Sequence, residues 1–92
     1  MTTSPRPLRL TPRPLEIAAT ALLPEGPPIA FQFQGTRHTV ADSVGPERIE
    51  TGWWRGPHIR RDYYNVVTET GRRCWLFRHR DTGRWFLHGW FD

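Results

Sequence analysis

Between Asp62 and Phe91 three runs of six to eight residues rich in aromatic and other apolar side chains are separated by glycine-containing segments at Glu69-Thr70-Gly71-Arg72 and at Asp81-Thr82-Gly83. Short apolar runs bounded by turn signals read as strands, and turns of that length join antiparallel neighbours. The pattern predicts three consecutive strands over 62–68, 73–78 and 84–91. Ile29-Ala30-Phe31-Gln32-Phe33 alternates cleanly with a period of two, Gln34-Gly35-Thr36 turns the chain, and 37–44 reads as the returning strand of a hairpin. Nothing has a helical period. The expected fold class is all-β, a small antiparallel meander or partly closed barrel of about five to six strands.

Both faces of the last strands are apolar. Trp75 and Phe77 oppose Cys74 and Leu76, while Trp85, Leu87 and Phe91 oppose Phe86, His88 and Trp90. Strands of this kind are covered on both sides or offer one face to a partner, and internal cover is expected here. The N-terminal segment and Trp53-Trp54 are the expected cover. Pro5, Pro7, Pro12, Pro14, Pro24, Pro27 and Pro28 exclude a long helix from the first 28 positions. The division expected is a Pro/Arg-rich extended arm over 1–14 and a single small β domain over 15–92, opening with an edge strand from Leu15 to Leu22.

Ninety-two residues suffice for one core. The 13 basic residues are all arginine, against 9 acidic ones, for a net charge of +4. Without lysine there is no Walker-type phosphate loop and no Schiff-base chemistry. Guanidinium groups fork onto carboxylates or phosphates and stack on rings. Cys74, the one cysteine, excludes a disulfide framework within the chain and fits a reducing compartment, so a cytoplasmic location is expected. The apolar run from Ile17 to Leu23 is too short to span a bilayer, so no membrane association is expected.

His38, His58, His79, His88 and Cys74 lack the spacing of a zinc site, and no metal or other cofactor is expected. Cys74, inside a strand, reads as a core residue rather than a nucleophile. Glu47, Glu50, Asp62 and Asp81 each have an arginine close in sequence, which suits ion pairs better than acid–base work. No catalytic constellation emerges, and an enzyme is not expected. The central stretch from Gly45-Pro46 to Tyr63-Tyr64 reads as a bent connection wrapped against the sheet, braced by Glu47-Arg48 and Arg61-Asp62. Arginine interleaved with aromatics, as at Trp54-Arg55, Arg73-Cys74-Trp75 and Arg84-Trp85, is the combination used by single-stranded nucleic-acid binders. Trp53, Trp54, Arg55, Arg61 and Trp90 are the expected binding residues, with at least one of the three tryptophans substantially exposed as an anchor.

Gly45-Pro46-Glu47-Arg48-Ile49, Trp53-Trp54, Arg61-Asp62-Tyr63-Tyr64, Gly71-Arg72-Arg73-Cys74-Trp75 and Trp85-Phe86-Leu87-His88-Gly89 together resemble the C-terminal tail of ImuB-type proteins. These are the non-catalytic Y-family polymerase relatives of bacterial mutagenesis cassettes. The resemblance implies a role in DNA-damage tolerance as an adaptor that joins an error-prone polymerase, a RecA-like partner and the sliding clamp. The chain carries neither the polymerase-like body of that family nor a clamp-binding peptide of the glutamine-leucine-phenylalanine kind, so clamp and primer–template binding are not carried over. The expectation is a non-enzymatic adaptor, with direct single-stranded nucleic-acid binding as the alternative.

Overall fold

The structure, a computed structural model, describes residues 9–23, 26–50 and 59–91, of which 9–12 and 91 are described by backbone alone. Six strands follow one another: β1 (Arg9–Ala21), β2 (Pro28–Phe33), β3 (Thr36–Glu50), β4 (Arg60–Thr68), β5 (Arg73–His79) and β6 (Trp85–Phe91). Each pairs antiparallel with the next, and β1 pairs with β6, so the sheet closes into a barrel. The meander expected from 62–91 is therefore half of a complete up-and-down barrel. Closure removes both sheet edges, and the segment expected as an edge strand is instead a stave between β2 and β6.

β1 starts at Arg9, inside the stretch expected to be an arm, and carries Pro12 and Pro14. Proline has no N–H to give a ladder. The register with β6 is broken between Leu10, opposite Gly89, and Leu15, opposite Leu87, and both prolines fall in that break. They are tolerated where hydrogen bonds are already missing.

β3 likewise does not stop at Val44, where the proline suggested a bend. It continues through Gly45 and Pro46 to Glu50, and the extra residue is taken up as a register shift between Val44, opposite Asn65, and Glu47, opposite Tyr63. The Gly45–Pro46 peptide is cis. Gly45 has φ 139°, and a Cβ built there would lie 2.6 Å from the Tyr63 carbonyl oxygen. The expected bent connection is thus partly strand; its remainder, with Trp53, Trp54, Arg55 and His58, lies outside the described residues.

Alternation sorts the side chains into two clusters. Inside the barrel are Ile17, Phe31, Tyr64, Val66, Cys74, Leu76, Trp85 and Leu87, with Ala19, Phe33, Val40 and Trp90 packed against them. On the opposite face of β4 and β5, Tyr63, Trp75 and Phe77 form a second cluster with Ile49 and Phe86. Both faces are buried, as expected of a two-sided apolar sheet. One face assignment changes. Trp75 pairs with Gly89 but Leu76 with Leu87, so His88 is an extra residue in β6. A bulge shifts the parity beyond it, and Trp90 joins Trp85 and Leu87 in the interior instead of Phe86 and His88 outside.

Replacing Gly45 by alanine should cost about 2 kcal/mol or more, because a β-carbon meets both an unfavourable φ and the Tyr63 carbonyl. Denaturant unfolding of Gly45→Ala checks this; an unchanged midpoint would show that the bulge has room.

Candidate functional site

Asp62 is 1% exposed and stands between Arg48 on β3 and Arg78 on β5, its register partners. Arg48 Nε donates to Asp62 Oδ1 at 3.0 Å, Arg78 Nη2 lies 3.5 Å from Oδ2, and Arg80 Nε is 4.0 Å from Oδ1. A carboxylate removed from water needs such partners, since an unpaired buried charge is costly. The network continues outward. Arg80 Nη1 reaches Glu50 at 3.0 Å, Arg60 Nη1 reaches Asp81 at 3.1 Å, and Arg84 Nε lies 3.8 Å from Glu16. Asp62 thus pairs across strands, with β3 and β5. Arg61 and Asp62 do not bond to each other, because consecutive strand residues face opposite sides; Asp62 instead takes Arg48, expected to pair with Glu47.

Arg61 belongs to the outer cluster. Its guanidinium carbon sits 4.3 Å over the Phe77 ring, and Nη1 donates to the Tyr63 hydroxyl oxygen at 3.0 Å. Tyr63 Oη is also 2.9 Å from His88 Nδ1. With its oxygen already accepting from Arg61, the hydroxyl directs its hydrogen to His88, which fits a neutral imidazole. Burial, and then the nearby Arg61 charge, lower the His88 pKa from its ordinary 6.5. The ring stacks on Trp75 at 5.2 Å and 4°, a position the β6 bulge provides. Tyr63 stacks on Trp75 at 4.3 Å, and Phe77 on Phe86 at 5.0 Å.

Trp90 is half-buried at the far end of β5 and β6, on the opposite face from Arg61. The two expected binding residues are therefore not brought together. Trp90 packs between Phe33, at 5.6 Å, and His38, at 6.3 Å, and the Arg72 guanidinium lies 4.1 Å over its ring. Arg72, His38 and Phe33 were not expected at a site; the tandem Arg72-Arg73 just after Gly71 was the available signal. Beside them a cleft of about 210 Å³ separates Arg37–Thr39 on β3 from Thr68–Thr70 at the start of the β4–β5 turn. The Glu69 N–H donates to the Thr39 carbonyl at 2.9 Å and ties the two hairpins together.

Cys74 is fully buried, and desolvation pushes its thiol up to about 12, which removes thiolate chemistry near neutral pH. Among the described residues no group of three or more His, Cys, Asp or Glu could hold a metal ion. The arrangement presents cations and rings.

No family model matches the chain, and no solved structure matches it. Two relatives, each called Protein ImuB and coming from two strains of Caulobacter vibrioides, are 44% identical to it over 101 residues. The match covers 95% of this chain and 22% of each relative. The chain is thus similar to a segment of ImuB-type proteins, consistent with a C-terminal one, as its ordered motifs implied.

Asp62→Ala should destabilise the barrel by about 3 kcal/mol, because it strips the carboxylate from Arg48 and Arg78, whereas Arg84→Ala, in an exposed pair, should cost under about 1 kcal/mol. Equal losses in denaturant titrations would contradict the assignment of Asp62 as the node. The depressed His88 pKa favours the neutral native form, so its contribution to stability is complete above pH 6.5 and is lost as pH falls through the native pKa. Wild type should therefore lose stability between about pH 7 and 5 more steeply than His88→Gln; parallel curves would refute this.

Proposed function

We propose that this barrel is a non-enzymatic interaction module of an ImuB-type protein and serves as an adaptor in bacterial DNA-damage tolerance. The observation that carries the proposal is the 44% identity to Protein ImuB over 95% of the chain. Because the chain spans only 22% of that relative, the activity and partners of a whole ImuB-type protein are part of the proposal. The proposed partners are the RecA-like and error-prone polymerase proteins of the mutagenesis cassette, and the proposed location is the cytoplasm.

Trp53, Trp54 and Arg55 are the proposed protein contacts, with Arg61 and Trp90 as further binding residues. Gly45, Pro46, Glu47, Arg48, Asp62, Tyr63 and Tyr64 are proposed as the structural motif of the central stretch. A second reading, direct contact with single-stranded nucleic acid, is favoured by one specific observation, the Arg72 guanidinium stacked on Trp90.

The adaptor reading is tested by capture with purified RecA-like and polymerase partners encoded beside an ImuB-type gene. Wild type should capture at least one of them, and Trp53→Ala should weaken capture by about 30-fold, the equivalent of about 2 kcal/mol for a tryptophan anchor. Failure of wild type to capture either partner would overturn the adaptor role.

A further inference from the structure

The arginines of the barrel divide between its two ends. At the end formed by the β3–β4 and β5–β6 connections, Arg48, Arg60, Arg78, Arg80 and Arg84 each lie within 4.0 Å of a carboxylate. At the other end, where β2 turns into β3 and β4 into β5, Arg37, Arg72 and Arg73 are exposed. Among the described residues none of these three has an ion-pair partner; Glu69, across the cleft from Arg37, is the one acid lining that cleft.

We infer that this second end is a binding site for single-stranded nucleic acid, with phosphates held by Arg37, Arg72 and Arg73 and a base stacked on the Arg72 guanidinium that Trp90 backs. The inference takes its ligand class from the second reading above and goes beyond it in locating the site. Phosphate is the anion that exposed, unpaired guanidinium forks fit best, and a guanidinium plane supported by a ring is a stacking platform for an unpaired base. Arg72 sits 4.1 Å over Trp90 and is itself exposed, so its outward side is open to such a base.

The cleft beside it, about 210 Å³, is smaller than the roughly 300 Å³ or more of an enclosing small-molecule pocket. It suits a chain crossing the surface, and Thr36, Thr39 and Thr70 supply hydroxyls along it. Thr68 Oγ1 accepts from the Arg72 N–H at 3.1 Å, and the Glu69–Thr39 bond holds the two hairpins together, so little ordering is required on binding.

A protein partner is disfavoured at this end by where the exposed apolar side chains lie. Leu22, Leu23 and Ile29 are at the opposite end, and Leu15 and Val44 are midway along their staves. The centre of a protein interface is apolar and depleted of charge, and this end is the reverse.

The test uses the full chain and a fluorescent oligo-dT of about 12 nucleotides, within the range bound by small barrels. Three phosphate contacts on a single strand predict an affinity loss of about 20-fold between about 50 and 200 mM salt. Arg37→Glu and Arg73→Glu, both exposed and without an ion-pair partner among the described residues, should each weaken binding by about 10-fold or more. Arg84→Glu makes the same charge change at the opposite end and should weaken it by less than about 3-fold. Trp90→Phe, which keeps a ring in the core, should reduce affinity less than Arg72→Ala.

If wild type does not bind the oligonucleotide, both the site and the nucleic-acid reading fail. If it binds but Arg84→Glu is as damaging as Arg73→Glu, or Arg37→Glu and Arg73→Glu bind normally, the reading survives and the site is wrong. Equal affinity for the oligo-dT·oligo-dA duplex would remove the stacked base. Loss of partner capture in Arg73→Glu, with no oligonucleotide bound by wild type, would make this end a protein surface.

Discussion

Closure of the sheet by the pairing of β1 with β6 is the constraint on which the rest of this molecule depends. Six strands can meet around a barrel only if they are staggered, and here the register shifts between Leu10 and Leu15 and after Thr20 in β1, after Val40 and at Gly45-Pro46 in β3, and at His88 in β6. These irregularities also aim side chains. The one at His88 turns Trp90 inward and stacks the imidazole on Trp75 outside. The one at Gly45-Pro46 lets β3 run on so that Arg48 meets Asp62.

Much of this was legible in the sequence. The apolar runs between Asp62 and Phe91 marked three strands, and their glycine turns made them antiparallel. What escaped was the consequence of residues that normally stop strands. Pro12 and Pro14 read as an arm because they cannot join a ladder, yet they occupy the break in register between β1 and β6 where no ladder bond forms. Pro46 read as the start of a connection, yet a bulge accommodates it. Gly89 inside an apolar strand was a signal for a bulge, and taking it as such would have put Trp90 in the interior.

The polar side of the molecule was harder to read for a different reason. Neighbouring residues such as Arg61 and Asp62 look paired on paper, but a strand sends them to opposite faces, so Asp62 meets Arg48 on β3 while Arg61 stacks on Phe77 of β5. Ion pairs in a barrel follow register, which no local pattern reports. The same reason hid the contact of Arg72 with Trp90, brought together where the start of β5 lies beside the end of β6. The result is a division of labour among arginines: one end spends its charge on Asp62, Glu50, Asp81 and Glu16, while the other leaves Arg37, Arg72 and Arg73 facing solvent.

Amide chemical shifts followed by NMR during titration with oligo-dT report on this asymmetry between the two ends. The account predicts that the largest shifts fall at 36–39, 68–73 and 89–90, with 48–50, 60–62 and 78–84 unmoved. Shifts centred on the Asp62 end, or spread evenly over both, would contradict it.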